Sequence, residues 1–320
     1  MNIAKASKSH IAATPDQYTP YFQTSVLWNQ IDPNSQHLKD PNENYLGTTY
    51  NITSMYAGMF LDQKGNCQLG DATTANGAFN PLTLNAFNWL SQFHGNVSLV
   101  IGGDPGGVIY DYLDTCSSIA FPTIVNGLIT EFNSNPDQPA KLVGIVFDVE
   151  NKSFHDGNAW PKISAWIDTL PAGSNMKIII AIPFNTDYWK DGWSQATMKT
   201  FFENYGSKIS EVNILDNVSD TASKTTLEND TEGNMKQAYL DLGSMSIPAS
   251  KISMMLDTDE TLLDVTVLKD LTTWLNTTKY NGVLVSPALH LFSRDKDVKS
   301  TAPGKGGKGL YDALLSPVSG

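Results

Sequence analysis

The feature that most constrains the fold is a series of short apolar runs separated by segments of helical periodicity. Eight runs occur, each of a length suited to one strand. Alternation of this kind is typical of a parallel sheet with crossover helices, and eight units predict an α/β fold, a single (β/α)8 TIM barrel. The predicted strands are Ser25–Trp28, Ile52–Leu61, Val97–Ile101, Leu142–Asp148, Lys177–Pro183, Glu211–Leu215, Lys251–Leu256 and Gly282–Ser286.

The segments between these runs predict helices, and the length of 320 residues suits one barrel domain. We expect an N-terminal extension over 1–20, the barrel over 21–299, and a Gly-rich linker with a short helix over 300–320. The predicted helices are Leu82–Phe93, Ile119–Phe132, Trp160–Thr169, Gln195–Tyr205, Asn234–Gly243 and Val265–Asn276.

Charge and composition disfavour several classes of partner. The net charge is -12, the lysines are scattered and the only arginine is Arg294, so a phosphate backbone would be repelled and nucleic acid is not expected. No apolar run approaches the ~20 residues of a membrane span, and the N-terminus lacks the apolar core of a signal peptide. We therefore expect no membrane partner. Cys67 and Cys116 allow at most one disulfide, and reduced thiols are favoured.

The run Leu142–Glu150, LVGIVFDVE, ends in two carboxylates one residue apart. Because side chains alternate along a strand, Asp148 and Glu150 are predicted to point to the same side. Desolvation and mutual repulsion at a strand's carboxyl end would raise the pKa of one group, so that it stays protonated as a general acid while its neighbour remains charged. The alternative is a pair of solvated residues that end a strand.

Further candidate residues follow other predicted strands. Gly102 and Gly103 allow a sharp turn against a ligand without the spacing of a nucleotide loop. Tyr188 and Trp189 follow the fifth strand, where their rings are suited either to stacking on sugars or to packing on barrel helices.

Asp216 and Asp257 follow the sixth and seventh strands and extend an acidic ring suited to a substrate or a hard cation. No recognisable metal motif occurs, and His155 and His290 are isolated in the sequence. The prediction is therefore no metal and no cofactor, with a metal-dependent hydrolase as an alternative.

Several segments between Tyr21 and Asp295 resemble the family 18 glycoside hydrolases, the chitinases and endo-β-N-acetylglucosaminidases. The family's S-x-G-G and D-G-x-D-x-D-x-E motifs are matched by Val100-Ile101-Gly102-Gly103 and by Val143-Gly144-Ile145-Val146-Phe147-Asp148-Val149-Glu150. The resemblance implies a substrate-assisted mechanism in which the substrate's N-acetyl oxygen attacks the anomeric carbon. It assigns Glu150 as the general acid/base and Asp148 as the residue that orients the acetamido group. It also implies a glycan ligand and secretion.

The chain departs from the family pattern at several polar positions. Val143 and Val146 replace the first two aspartates of the motif, and Val100 replaces its serine. The sixth strand lacks the family's tyrosine, and Val285-Ser286 occupy the position at which a tryptophan normally forms the floor of the sugar site. Two hypotheses follow: a divergent hydrolase, or an inactive barrel that serves as a glycan-binding, toxin-associated or storage protein. The oligomeric state is left open.

Overall fold

A computed structural model describes residues 21–23, 54–59, 95–102, 117–134, 136, 140–149, 159–183, 193–215, 239–257 and 288–290. The described part contains one sheet of eight parallel strands, and their order in the sheet is their order in the chain. The α/β prediction is therefore confirmed. The strands are β1 (Tyr21–Gln23), β2 (Ser54–Met59), β3 (Asn96–Gly102), β4 (Lys141–Asp148), β5 (Lys177–Pro183), β6 (Glu211–Leu215), β7 (Ile252–Asp257) and β8 (Ala288–His290).

Three helices with complete bounds connect these strands: α1 (Ala120–Ser134), α2 (Ala159–Ile167) and α3 (Trp193–Tyr205). Residues 239–244 are also helical, and a short 3-10 helix, Ala249–Lys251, precedes β7. The start of α1 is set by Ser117, whose Oγ accepts a hydrogen bond from the backbone N–H of Ala120 at 3.1 Å. A serine cap of this kind satisfies a backbone donor that has no partner within the helix.

The predicted elements and the structure agree through the middle of the chain. β5 and β6 have the predicted bounds, and β2, β3, β4 and β7 differ from prediction by one or two residues at one or both termini. The first and eighth places in the sheet are taken by Tyr21–Gln23 and Ala288–His290. The segments Ser25–Trp28, Leu82–Phe93, Val265–Asn276 and Gly282–Ser286, and both cysteines, lie outside the described residues.

The sheet has two chemically different faces. Residues in register across parallel strands share a face. Ile101, Phe147, Ile180 and Val212 form one such row across β3 to β6, and all four are buried. The Phe147 ring lies 5.8 Å from the ring of Phe121 in α1, centroid to centroid. The side that carries this row is therefore covered by helices, and we call it the helix face.

Aromatic contacts continue between the helices on this side of the sheet. The Phe147 ring lies 5.1 Å from that of Trp166 in α2, and the Trp160 ring lies 4.9 Å from that of Phe201 in α3. Contacts of this kind add to the burial free energy of the rings. Asn126 of α1 accepts a hydrogen bond from Trp166 Nε1 at 3.0 Å, so the indole N–H buried between α1 and α2 has an acceptor. The packing fixes α1, α2 and α3 on the helix face.

The opposite face carries the buried polar residues of the described strands. These are Ser98 in β3, Asp148 in β4 and Asn213 in β6. Register places Ser98 beside Gly144, whereas Asp148 and Asn213 each lie beside Ala181 of β5. We call this side the polar face.

Candidate functional site

Asp148 lies at the carboxyl end of β4, on the polar face. Its neighbour Phe147 packs against helices, and alternation along the strand directs Asp148 to the other side of the sheet. Only 3% of Asp148 is exposed. Burying a carboxylate to this extent costs free energy, which makes a buried acid at this end of a parallel sheet a candidate functional residue.

The residues beside Asp148 are small, and the next polar residue along the row is Asn213. Gly102 of β3 is in register with Asp148 on one side and Ala181 of β5 on the other. Ala181 is in turn in register with Asn213, which is fully buried. The row therefore reads glycine, aspartate, alanine and asparagine across four neighbouring strands. A carboxylate and an amide flank the methyl group of Ala181, with no bulky side chain from β5 between them.

The row beneath is apolar on β3, β4 and β5, and it ends on β6 at Glu211, which is in register with Ile179. Val100, Val146 and Ile179 are in register, two residues nearer the amino ends of their strands, and all three are buried. Two of them occupy positions where the family motifs have serine and aspartate. The third departure, Val143, falls at a register shift between β3 and β4: Val97 pairs with Leu142, and Ser98 pairs with Gly144. Val143 is therefore the extra residue of a bulge.

The structure describes only some of the predicted site residues. Asp148 and Gly102 are in register with each other, and Asp257 ends β7. Glu150, Gly103, Asp216, Tyr188 and Trp189 lie outside the described residues, so their roles remain predictions. The backbone N–H of Val149 donates a hydrogen bond to the carbonyl of Ala181 at 2.9 Å. Pairing with β5 thus continues one residue beyond Asp148, up to the position before Glu150.

Two residues of the described strands were not selected from the sequence. Asn213 is a buried amide within an apolar strand, and the polar interruption in Val212-Asn213-Ile214-Leu215 is the signal that marks it. His290, isolated in the sequence, ends β8 and is in register with Asp257 at the end of β7. No local pattern reveals the second pairing, because 33 positions separate the two residues in the chain.

A second cluster of titratable groups lies near the amino ends of the strands, opposite the end that carries Asp148. Tyr205 donates a hydrogen bond to Asp168 Oδ2 at 2.8 Å, and Lys208 Nζ lies 3.5 Å from Asp168 Oδ1. The hydrogen bond to Asp168, together with burial, raises the pKa of Tyr205. These residues end or follow α2 and α3, so they lie near the amino ends of the strands, away from Asp148.

Within the described ranges, no group of three or more His, Cys, Asp or Glu side chains is arranged to hold a metal ion. In the same residues, no helix combines the length and apolar character needed to cross a membrane.

Comparison with known proteins gives matches in structure but not in sequence. No protein-family profile and no curated protein sequence matches the chain. A family 18 chitinase from Pseudoalteromonas aurantia superposes with a TM-score of 0.52 at 13% identity, covering 85% of this chain and 92% of that one. An immunomodulatory active chitinase from Trichuris suis gives 0.54 at 13%, covering 93% and 99%. Concanavalin B gives 0.54 at 14%, covering 94% and 99%.

These matches confirm, at the level of the fold, the family 18 resemblance that the motifs predict. The superposed region covers nearly the whole of each chitinase, so the chain has a fold like that of a complete family 18 domain. At 13% identity these superpositions establish similarity of fold, and they do not establish catalytic activity.

Proposed function

We propose that the chain forms a closed (β/α)8 barrel over residues 21–299 that binds N-acetylglucosamine-containing glycans and hydrolyses them. The observation that carries this proposal is the buried carboxylate of Asp148 at the carboxyl end of the fourth parallel strand. Active sites of (β/α)8 enzymes are built at these strand ends. The fold shared with family 18 chitinases supports the choice of substrate class.

Closure of the sheet is supported by its first and last strands. All eight strands are parallel and sequential, and Cα atoms of β1 come within 8 Å of Cα atoms of β8. In a closed barrel the helices lie outside, so the helix face becomes the outer surface of the sheet and the polar face its interior. Asp148 and Asn213 would then face the barrel axis.

The proposed mechanism uses Glu150 and Asp148. Glu150 donates a proton to the glycosidic oxygen while the acetamido oxygen of the substrate attacks the anomeric carbon, which breaks the glycosidic bond and forms a cyclic oxazolinium. Asp148 orients the acetamido group, and its negative charge stabilises the cationic ring. Glu150 then takes a proton from the water that opens the ring, which regenerates the acid and gives a retained product.

A second function, glycan binding without hydrolysis, is supported by the apolar row beneath Asp148. Val100 and Val146 are buried where the family has polar residues, so Asp148 has no hydrogen-bond donor or proton-sharing carboxyl group from these two positions. Stacking of Tyr188 and Trp189 on a sugar would not depend on those groups. In this case the same site binds a glycan that it does not cleave.

The deciding experiment compares Glu150→Gln with the wild-type chain on chitooligosaccharides and high-mannose N-glycans. We expect hydrolysis to fall below detection, because the glutamine amide cannot donate a catalytic proton, while calorimetry still detects binding. Glu203→Gln is the matched control: Glu203 is exposed on α3, where it pairs with Lys199, so activity should be unchanged.

The outcomes separate the two functions. Binding by the wild-type chain without turnover supports the glycan-binding function, and wild-type turnover in Glu150→Gln excludes the proposed mechanism. Absence of binding to both glycans at millimolar ligand, where a site of about 4 kcal/mol would register, excludes both functions.

A further inference from the structure

Lys251 lies directly before β7, and its side chain reaches the loop that joins α3 to β6. Its Nζ donates hydrogen bonds to the backbone carbonyls of Gly206, Ser207 and Ile209, at 2.9, 3.4 and 2.6 Å. An ammonium group has three N–H donors and no acceptor, so its full hydrogen-bonding capacity is directed at this loop. We call these three carbonyl oxygens the carbonyl cluster.

The carbonyl cluster begins where α3 ends, because Gly206 directly follows Tyr205. The carboxyl end of a helix carries partial negative charge, which favours a cation there. A Cβ at Gly206 would lie 2.5 Å from the carbonyl oxygen of Phe202, so the chain turns against the last turn of α3 at a distance that only glycine allows. The carbonyls that follow this turn converge on one nitrogen.

All three acceptors in the carbonyl cluster are neutral backbone oxygens. Mg²⁺ and Ca²⁺ sites in proteins rely on carboxylates to balance the double charge. Rings of backbone carbonyls, in contrast, hold potassium in channel filters by replacing its hydration shell. The chemistry of the carbonyl cluster therefore suits a singly charged cation, and the Lys251 ammonium is such a cation carried by the chain itself.

The bound ammonium also joins the starts of two neighbouring strands. The carbonyl cluster precedes β6, and Lys251 precedes Ile252 of β7, which is in register with Val212 of β6. A slip of β7 by one residue would move Lys251 by about 3.3 Å and break charge-assisted hydrogen bonds. Occupation of the carbonyl cluster by a cation therefore stabilises the native register of β6 and β7.

We propose that the carbonyl cluster is a binding site for a monovalent cation, that the Lys251 ammonium is its occupant, and that the site binds a free primary ammonium ion when the lysine side chain is removed. The inference goes beyond the proposed glycan function and does not depend on it. The carbonyl cluster lies near the amino ends of β6 and β7, away from Asp148.

The experiment is chemical rescue of Lys251→Ala, measured by urea denaturation. The substitution removes three methylene carbons and the nitrogen, which together are the heavy atoms of n-propylammonium. We expect the ratio of folded to unfolded chain at a fixed urea concentration to fall about 10–100-fold, as is typical of losing hydrogen bonds to a charged group. Adding about 100 mM n-propylammonium chloride should raise this ratio about fivefold to tenfold, which corresponds to a Kd of about 10–25 mM.

Two controls separate binding at the carbonyl cluster from a general effect of salt. Tetramethylammonium chloride at the same concentration has the same charge and ionic strength but no N–H donor, so it should not restore Lys251→Ala. Lys199→Ala is the matched control variant, because Lys199 is half-exposed on α3 and pairs with Glu203. We expect n-propylammonium to leave the stability of Lys199→Ala unchanged.

A measurement on the wild-type chain does not depend on the folding of any variant. Limited acetylation followed by peptide mass spectrometry reports how fast each lysine reacts. The Lys251 nitrogen must leave its three acceptors before it can attack the reagent. We therefore expect Lys251 to react at least about tenfold more slowly than Lys199 and Lys208, whose side chains are half-exposed.

Three results would overturn the inference: n-propylammonium leaves Lys251→Ala as unstable as before, tetramethylammonium restores it equally well, or Lys251 of the wild-type chain is acetylated as fast as Lys199. If Lys251→Ala does not fold at any concentration of n-propylammonium, the acetylation rates alone decide. The proposed glycan function is tested separately by Glu150→Gln, so each can fail without the other.

Discussion

The two faces of the sheet differ most sharply at two consecutive residues of β4. Phe147, on the helix face, contacts aromatic rings of α1 and α2, whereas Asp148, on the polar face, lies between Gly102 and Ala181. Both residues are buried, yet one is surrounded by large apolar groups and the other by small ones. The comparison teaches that burial in this chain serves two purposes: packing specifies the fold on one face, and the other face holds polar groups at a cost in stability.

The largest expected effect is a loss of stability at Phe147 and a loss of function at Asp148. Phe147→Ala should lower the free energy of unfolding by about 3–5 kcal/mol, because the ring leaves a cavity among packed aromatics. Asp148→Asn should lower it by less than half as much and reduce turnover of chitooligosaccharides about 10–1000-fold. Urea denaturation and a hydrolysis assay measure the two quantities.

A loss of stability in Asp148→Asn as large as that in Phe147→Ala would contradict the division between the faces. Asp148 would then be a structural residue, and its burial would no longer point to a site.

The next effect concerns Gly144, on the polar face of β4. A Cβ at this position would lie 2.8 Å from Ser98 Oγ and 3.0 Å from the carbonyl oxygen of Lys177. We therefore expect Gly144→Ala to destabilise the chain by about 1–3 kcal/mol, measured by urea denaturation, as is typical of overpacking.

The matched control is Gly127→Ala in α1, where a Cβ would meet no atom within 4 Å. This variant should gain about 0.5–1 kcal/mol through helix propensity. Adding Ser98→Ala to Gly144→Ala should recover only part of the loss, because the Lys177 carbonyl cannot move aside. Equal stability of Gly144→Ala and the wild-type chain would mean that the space around Gly144 accommodates a methyl group without strain.

The smallest effect concerns the cluster around Tyr205, near the amino ends of the strands and away from Asp148. The neutral phenol donates to Asp168, and ionisation would remove this donor and repel the carboxylate, which raises the pKa of Tyr205. The stabilisation is therefore fully present below the unfolded-state pKa of tyrosine, about 10, and is lost as pH rises through the higher folded-state value. We expect Tyr205→Phe to flatten the alkaline end of the stability profile.

Urea midpoints between about pH 8 and pH 11 measure this change. The difference should be small, since surface hydrogen bonds and charges are screened by solvent. If the stability of Tyr205→Phe falls as steeply with rising pH as that of the wild-type chain, the loss of stability at alkaline pH comes from other titrating groups.

The sequence predicts β2 to β7 and α1 to α3 because apolar periodicity and burial coincide there. The predicted β4 ends at Asp148, as the structure does, and β5 and β6 have the predicted bounds. The described outer strands β1 and β8 were not predicted, since each has three residues and leaves no periodic signal, and the strands predicted at Ser25–Trp28 and Gly282–Ser286 lie outside the described residues. Short strands are selected by their neighbours in the sheet rather than by local propensity.

The candidate site shows the same limit. Asp148 is predictable because a carboxylate directly follows an apolar run. The position of Asn213 in the same row as Asp148 is not predictable, because it depends on the register of two strand pairs, β4 with β5 and β5 with β6. Register is fixed by the whole sheet, so no short segment encodes it.

The sequential order of the strands has a consequence for how the chain assembles. Each strand pairs with the one that precedes it in the chain, so during synthesis every new strand finds its partner already present. Contacts between neighbouring units keep the sequence separations shorter than pairing between distant strands would, which lowers the entropic cost of closing each connection. The β1–β8 contact is the exception, because it joins residues from opposite ends of the chain. In a closed barrel the backbone N–H and C=O groups on the outer side of β1 would therefore have no strand partner until β8 has been synthesised.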